Sequence, residues 1–314
     1  MAIMSMSSGV AGDSVLVVGS VALDSVRTPF GEVTEVLGGA ASFASVSASF
    51  FAPVRVVAVV GEDFPETHMA SLAGRGVDLA GLQRASGKTF RWSGYYEYDL
   101  NQAHTVTTEL NVFQTFRPEL PEDYRHSACV FLANIDPALQ LYVLDQVRHP
   151  RLVACDTMNY WIQNSRSQVL QVLARVDIAL MNDAEVRQLT GEANLISAAR
   201  RVLDFGPGVV IVKKGEHGAV MLSRESYFAA PGYPLEEVRD PTGAGDTFAG
   251  GLVGYLARCA DSSDAGLRRA IICGSVMASF AVEDFSLSRL LRLSSEEIAE
   301  RYREISRMTH FEGL

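Results

Sequence analysis

The sequence predicts an α/β fold, a doubly wound and mostly parallel sheet flanked by helices, with a small β-sheet lid. Short apolar runs, too brief for helices, alternate with helical patterns along most of the chain. This alternation is typical of a parallel sheet covered by helices on both faces. Because 48% of the 314 residues are hydrophobic, the chain can bury the core of one large domain.

The predicted elements follow one another in a regular order. Apolar, often β-branched runs predict strands at residues 15–18, 54–60, 129–133, 152–155, 178–181 and 209–212. Helical patterns lie at residues 39–51, 65–75, 137–148 and 163–175, and two more helices start near residues 184 and 195. Turn glycines precede two further strands, 219–222 and 227–230, which predict a hairpin at the sheet edge. Three helices end the chain, at 244–258, 263–282 and 294–308.

One segment departs from this order and predicts the lid. Residues 88–107 are dense in aromatic and β-branched side chains, with a polar break near Asn101. We expect two antiparallel strands there, outside the main sheet. Together with residues 21–36 they would form a small β layer over the crevice at the carboxyl edge of the sheet. The predicted organisation is a disordered leader at 1–12, then one domain at 13–314 with lid segments at about 21–36 and 88–112.

Charge and cysteine content narrow the class of partner. Twenty-seven basic against 37 acidic residues give a net charge of −10, which matches neither nucleic acid nor an anionic membrane. No stretch reaches the ~18 apolar residues of a membrane span. The four cysteines are widely spaced and form no C-x-x-C pair, so we interpret them as reduced core residues of a cytoplasmic protein. Small-molecule partners are therefore favoured.

The most informative segment is residues 240–251, which read DPTGAGDTFAGG. Gly243, Ala244 and Gly245 offer successive backbone N–H groups, almost unobstructed by side chains, at the start of a predicted helix. Unpaired amides and the positive end of the helix dipole predict an anion hole for a transferring phosphoryl group. Asp246, in the first helical turn, is placed to accept a proton from an attacking hydroxyl. The chain contains no Walker, dinucleotide, nucleophile-elbow or zinc-protease motif.

This string resembles the second signature of the PfkB family of carbohydrate kinases, and the resemblance extends over nearly the whole chain. It implies a ribokinase-like fold and an ATP-dependent kinase that phosphorylates an alcohol group of a sugar-like metabolite. It further implies that Asp246 is the catalytic base and that the amides of residues 243–245 form the anion hole. ATP and Mg²⁺ would be required, and a monovalent cation could bind near Asp240 and Thr242. Thr242 itself would lie at the nucleotide.

The resemblance also assigns residues to the nucleotide. The family's N-x-x-E motif, which orders magnesium and water beside the phosphates, matches Asn182 and Glu185, so that Glu185 would hold Mg²⁺ through water. Without the resemblance, Asn182 could be a plain helix N-cap. Lys213, Gly215 and Gly218 match the family's Thr-x-Gly-x-x-Gly turn, with Lys213 in place of the threonine. Lys213 could reach the phosphates of ATP or be a solvated hairpin charge.

The substrate side is implied by the family's first signature, a Gly-Gly pair opening a helix. Here the pair is Gly38 and Gly39, and Phe43 stands where an asparagine usually binds substrate hydroxyls. An aromatic ring at that position could instead contact a flat or apolar group. Asp24 matches the family's substrate aspartate, which accepts hydrogen bonds from two neighbouring hydroxyls.

Further candidates for substrate contact lie in the lid and at strand ends. Because strand residues alternate between faces, about half of the lid candidates are expected to face the site. Those lid candidates are Arg91, Trp92, Tyr95, Tyr96, Tyr98 and Asn101. Asn134 and Asn159, each just past an apolar strand, could also face the crevice or simply form turns. Lid strands in this family often pair across a homodimer interface.

Four functions are weighed on these residues. A sugar kinase comes first, and a nucleoside kinase of the same family is favoured by Phe43 and by aromatic lid residues that could stack on a base. A non-catalytic ligand-binding homologue would be expected to lose Asp246 or the anion hole, and both are present. A nicotinamide-dependent dehydrogenase has the right alternation of elements but would need the dinucleotide fingerprint, which is missing.

Overall fold

The computed structural model describes residues 13–310 and residue 312. The leader predicted at residues 1–12 lies outside the described residues. None of the helices within the described chain is long and apolar enough to cross a membrane.

Within residues 13–310 thirteen strands form, and the six predicted for the parallel sheet are confirmed to within one residue. The strands are β1 Val15–Val18, β2 Ala22–Thr28, β3 Gly31–Gly38, β4 Val54–Val60, β5 Val77–Arg84, β6 Arg91–Tyr96, β7 Ala103–Glu109, β8 Cys129–Leu132, β9 Leu152–Asp156, β10 Ile178–Asn182, β11 Val209–Lys213, β12 Ala219–Ser223 and β13 Tyr227–Ala230.

Eleven α-helices in the described part of the chain connect and cover these strands. They are α1 Ala40–Ala48, α2 Glu66–Gly74, α3 Pro137–Leu144, α4 Asn159–Asn164, α5 Arg166–Leu173, α6 Asp183–Thr190, α7 Leu195–Leu203, α8 Ala244–Cys259, α9 Asp264–Ala281, α10 Ser288–Arg292 and α11 Ser295–Met308. Short 3-10 helices lie at Asn111–Thr115, Glu122–His126 and Gly215–His217.

The main sheet has nine strands in the order β13-β12-β11-β10-β9-β8-β1-β4-β5. From β11 to β5 all neighbours are parallel, whereas β12 and β13 pair antiparallel, as the predicted edge hairpin requires. Successive residues of β1 face opposite sides of the sheet: Val15 and Val17 join one apolar cluster, and Leu16 and Val18 the other. The sheet is therefore buried on both faces, which explains its continuous apolar runs.

The second sheet has four strands in the order β3-β2-β6-β7. Strand β2 pairs antiparallel with β3 and parallel with β6, and β6 and β7 form an antiparallel hairpin. This small sheet, which we call the lid, comes from the two segments that the sequence indicated. Its outer edge strand β7 is largely exposed.

Two local elements were not predicted, and two local expectations are wrong. Strand β5 was not predicted, because its exposure does not alternate and Gly81 interrupts it; a Cβ there would lie 2.5 Å from the carbonyl oxygen of Val56. The helix expected at 163–175 is two helices, α4 and α5, separated by Ser165 in a non-helical conformation. The short helix α10 was also missed. Of the four cysteines, Cys259 is exposed, whereas the other three are buried.

Candidate active site

A buried aspartate shapes the loop that precedes helix α8. Asp240 is 1% exposed, and its carboxylate accepts hydrogen bonds from the backbone N–H of Thr242 at 2.9 Å and of Ser286 at 3.3 Å. These bonds fix the turn before Gly243 and tie it to the segment after α9. The loop is thereby held at the carboxyl edge of the main sheet.

Gly243 is the residue at which the loop becomes a helix. It is the N-cap of α8 and has a φ of 75°, in the left-handed region that favours glycine. A Cβ on Gly243 would lie 2.4 Å from the ring of Phe43, so the ring packs directly against the loop. Phe43 is only 2% exposed. The structure therefore packs Phe43 under the start of α8, with little surface left for the substrate contact expected of it.

Within the described residues, two of the three amides expected to form the anion hole are available to a ligand. The N–H of Ala244 donates to the carbonyl oxygen of Pro241 at 3.2 Å. Among residues 13–310 the N–H groups of Gly243 and Gly245 have no acceptor. Residues 243–246 are partly exposed rather than buried in the core. An anion at this point would meet bare amides and the positive end of a 16-residue helix.

Asp246 lies beside these amides in the first turn of α8. Burial raises the pKa of its carboxyl group to about 7, and the nearby carboxylate of Asp156 acts in the same direction, whereas the ammonium of Lys213 opposes it. A carboxylate whose pKa is close to the working pH is suited to accept a proton from an alcohol. The chemistry that the sequence predicted for Asp246 is thus compatible with its surroundings.

Asn182 and Glu185 form a capping box at the start of α6. The side-chain oxygen of Asn182 accepts from the N–H of Glu185 at 2.8 Å, and Glu185 accepts from the N–H and the side-chain amide of Asn182 at 2.7 and 2.8 Å. Burial, then the charge of Asp156, raises the pKa of Glu185 to about 7. Asn182 is therefore the N-cap of α6, and the pair also lies at the carboxyl edge of the main sheet, where β10 ends.

Lys213 ends β11 and forms an ion pair with Asp156, which ends β9. Their side chains are 17% and 3% exposed. Burial alone would lower the pKa of Lys213, but the carboxylates of Asp156, Glu185 and Asp246 raise it instead. Lys213 is therefore a charged residue in the cleft and not a solvated hairpin lysine. Asp156 was missed in the sequence, although an acidic residue directly after a buried strand is a usable signal.

The turn at residues 214–218, after β11, lies against the tip of the lid. Gly215 and Gly218 have φ values of 56° and 80°, and a Cβ on Gly218 would lie 2.1 Å from the carbonyl oxygen of Ala230. A Cβ on Gly215 would lie 3.2 Å from the side-chain oxygen of Asn101. The tip of the lid thus touches the turn expected to bind the nucleotide.

Asp24 lies on the cleft side of the lid, in strand β2. It is 6% exposed and accepts a hydrogen bond from the N–H of Gly39 at 3.3 Å. A Cβ on Gly38 would lie 1.9 Å from its carboxylate, so the bare Gly38 makes room for this group. Burial raises the pKa of Asp24 to about 7, with further contributions from Asp240 and Asp246. The structure therefore brings Asp24 and the pair Gly38 and Gly39 together beside the catalytic loop.

The other substrate candidates are distributed unevenly. Tyr98 is 88% exposed on the turn between β6 and β7, whereas the hydroxyl of Tyr96 lies 3.3 Å from the hydroxyl of Thr242. In a continuous strand Tyr96 and Tyr98 would face the same side, because side chains alternate between the two faces. Strand β6 ends at Tyr96, so Tyr98 lies in the turn. The amide of Asn134 is committed to Trp161, whose indole N–H donates to it at 3.1 Å, and to the sulfur of Met158. Asn159, at the start of α4, bonds the N–H of its neighbour Tyr160 at 2.8 Å.

The charges at this edge of the sheet fit a hydrated divalent cation. No cluster of three or more ligating side chains within the described residues could enclose a metal ion. The carboxylates of Asp156, Glu185 and Asp246 face one ammonium, that of Lys213, which leaves an excess of negative charge. Mg²⁺ retains several waters and prefers phosphate oxygens, so Glu185 can hold it through water without a protein cage.

Comparisons with known proteins agree with this geometry. The model of the pfkB family carbohydrate kinases matches residues 13–291. A cytidine kinase from Thermococcus kodakarensis is 31% identical over 247 residues, which cover 76% of this chain and 87% of that protein.

Solved structures have the same fold. The nucleoside kinase of Methanocaldococcus jannaschii superposes with a TM-score of 0.76 at 20% identity, over 94% of this chain and 100% of that one. The aminoimidazole riboside kinase of Salmonella enterica, solved with aminoimidazole riboside and an ATP analog, gives a TM-score of 0.75 at 19% identity, over 92% and 100%.

The fold and the loop before α8 define an ATP-dependent phosphotransferase with an alcohol group as acceptor. The chain belongs to the pfkB family of carbohydrate kinases, and its fold is ribokinase-like. The kinase activity inferred from the sequence is thereby confirmed, and the relatives include a cytidine kinase and a nucleoside kinase.

Proposed function

We propose that this kinase phosphorylates the hydroxymethyl oxygen of a nucleoside. The observation that carries the proposal is on the lid: the indole of Trp92 lies across Gly94, where a Cβ would be 2.3 Å from the ring. The indole N–H donates to the hydroxyl of Thr105 at 3.2 Å, which fixes the plane of the ring. Gly94 thus makes room for the indole over strand β6, and the Trp92 side chain stays partly exposed.

This aromatic surface belongs to the face of the lid that covers the cleft. Trp92 is the register partner of Asp24 on the parallel strand β2, so the two side chains lie on one face. Tyr96 follows at the same parity on β6 and reaches Thr242. Tyr95 points the other way and stacks on His104 with ring centroids 4.9 Å apart. A flat base on Trp92 would leave its ribose beside Asp24.

The relatives support a nucleoside. One is named a cytidine kinase and another, from Methanothermobacter thermautotrophicus, a nucleoside kinase. Base–aromatic stacking contributes about 1–3 kcal/mol and tolerates different bases, so Trp92 favours nucleosides over free sugars without selecting one base.

In the proposed reaction the ribose hydroxyls bind Asp24 and the hydroxymethyl oxygen lies next to Asp246. Asp246 accepts the proton of that hydroxyl as its oxygen attacks the terminal phosphate of ATP, and the amides of Gly243 and Gly245 stabilise the negative charge. Mg²⁺, when bound, neutralises charge on the phosphates. The lid excludes water and so limits hydrolysis of ATP.

A panel of acceptors tests the substrate. Initial rates with ATP are measured on cytidine, adenosine, inosine, ribose, fructose and ketodeoxygluconate. We expect kcat/KM for at least one nucleoside to exceed that for ribose by about tenfold or more, which corresponds to roughly 1.4 kcal/mol of binding to the base. A preference for a free sugar would overturn the nucleoside assignment while leaving the kinase chemistry intact.

The same proposal includes the remaining partners. A monovalent cation near Asp240 and Thr242 would act through the loop that these residues hold, and replacing K⁺ by tetramethylammonium in the assay tests it.

A homodimer through the lid is supported by the exposed edge strand β7, where Val106 is 60% exposed. Sedimentation of the full chain measures it. We place the enzyme in the cytoplasm, in keeping with its four free cysteines.

A further inference from the structure

The ion pair between Lys213 and Asp156 connects the ends of two strands that are not neighbours. Strand β10 lies between β9 and β11, with Leu180 opposite Asp156 and Asn182 opposite Lys213. The two side chains therefore meet across the carboxyl end of β10. The backbone carbonyl of Asp156 is also held, because the side-chain amide of Gln140 donates to it at 3.0 Å. Asp156 is a fixed point in this part of the cleft.

The ammonium of Lys213 lies against the anion hole. A Cβ on Gly245 would be 3.1 Å from the Nζ atom of Lys213, and 3.7 and 3.8 Å from its Cε and Cδ atoms. Because Gly245 has no side chain, the ammonium of Lys213 can lie beside the amides of residues 243 and 245. A phosphoryl group held by those amides would meet this ammonium as well.

The two side chains of this ion pair differ in their exposure to solvent. Asp156 is 3% exposed, whereas Lys213 retains 17% exposure at the cleft. A pair serving only the stability of the core would be covered on both sides, and replacing such a pair by apolar residues is often neutral. The asymmetry indicates that Asp156 holds a cation whose free side is presented to a ligand.

We propose that Lys213 contacts the phosphoryl group in transfer, and that Asp156 is a positioning residue that keeps the ammonium against Gly245. During transfer the bond from the acceptor oxygen to phosphorus forms, the bond from phosphorus to the bridging oxygen of ADP breaks, and the hydroxyl proton passes to Asp246. Lys213 keeps its proton throughout and offsets charge on the phosphoryl oxygens. A preorganised cation of this kind acts mainly in the transition state.

Single variants test the division of roles. For Lys213→Met we expect kcat to fall about 10²- to 10³-fold with KM for ATP changed by less than about threefold, as when one stabilising donor is lost. Lys213→Arg should recover about tenfold of that loss, because the charge returns in a less suitable shape. The matched control is Lys88→Met, at an exposed lysine before β6 that is outside the described ion pairs, and its kcat should equal that of the wild type. A large rise in KM at unchanged kcat for Lys213→Met would overturn the proposal.

The pH dependence of kcat/KM separates the two partners. Asp246 must be ionised to accept a proton, so activity is lost as the pH falls through its pKa. Removing the cation in Lys213→Met moves this acidic limb to higher pH, and removing the anion in Asp156→Asn moves it to lower pH. The other groups around Asp246, namely Asp24, Glu185 and Tyr96, are the same in both variants. Shifts in one common direction would contradict the proposal.

The double variant Lys213→Met/Asp156→Asn guards against misfolding. Removing both charges leaves no unpaired buried ion, so its melting temperature should return close to that of the wild type even if either single variant is unstable. Under the proposal its kcat stays as low as that of Lys213→Met. Recovery of kcat together with stability would show that the pair is only structural. This outcome does not depend on the acceptor and leaves the nucleoside assignment untouched.

Discussion

The two sides of the cleft are built differently. On the phosphate side, Asp156 and Asp240 are 3% and 1% exposed, and they are held by bonds to Gln140 and Ser286 in other segments. On the lid side, Tyr98 is 88% exposed and strand β7 is open to solvent along most of its length. Charges that must stabilise a transition state need fixed positions in a partly dry site, whereas a lid must open to admit its substrate. We therefore expect variants on the phosphate side to change kcat, and variants in the lid to change selectivity.

The largest effect should come from Asp246→Asn. The amide cannot accept the hydroxyl proton, so we expect kcat to fall by about 10²- to 10⁴-fold while ATP binding is kept. Initial rates and calorimetric titration with ATP measure the two quantities. Asp264→Asn is the matched control, because Asp264 occupies the first turn of the neighbouring helix α9. Near-normal turnover of Asp246→Asn would remove the base from the mechanism.

Gly243→Ala should be the next most severe. At φ 75° a side chain costs about 1–3 kcal/mol, and its Cβ would collide with Phe43, so the amides of the anion hole must move. We expect kcat to fall about 10²-fold with a lower melting temperature. Gly74→Ala, in helix α2 with open space around the Cβ, is the control and should keep full activity. Equal effects at the two glycines would show that the loop geometry is unimportant.

Trp92→Ala should alter selectivity instead of catalysis. Loss of one base–aromatic stack corresponds to about 1–3 kcal/mol, or about 5- to 150-fold in kcat/KM for a nucleoside, with little change for ribose. Tyr95→Ala on the outer face of the same strand is the control. The comparison of phosphate side and lid would fail if Trp92→Ala lowered kcat equally for every acceptor.

The smallest effect should come from Tyr96→Phe. This change removes only the hydroxyl that lies 3.3 Å from that of Thr242, which is one of the contacts that join the lid to the segment before α8. A typical hydrogen bond contributes about 0.5–1.5 kcal/mol, so kcat/KM should fall about two- to tenfold. Tyr142→Phe, which loses an exposed bond to Glu119, is the control. A loss as large as that of Gly243→Ala would mean that lid closure is the limiting step.

Most of the fold could be predicted because its signals are local. The strands of the parallel sheet are continuous apolar runs bounded by glycines or polar residues, and they form where expected. Strand β5 could not be predicted from its pattern, because it lies at the sheet edge with mixed exposure. The break at Ser165 is a tertiary feature of the same kind.

Within the candidate site, the sequence by itself determined the loop at residues 240–246. The loop contains bare amides at residues 243–245, the start of a helix, and the carboxylate of Asp246 directly after them. Because these groups are contiguous in the chain, their arrangement follows from local helix geometry. Only the tertiary structure decided which distant residues complete it. Asp156 meets Lys213 across 57 positions, Tyr96 meets Thr242 across 146, and Phe43 packs under Gly243. These contacts depend on the order of strands in the sheet and on the docking of the lid. Neither can be deduced from the spacing of residues along the chain.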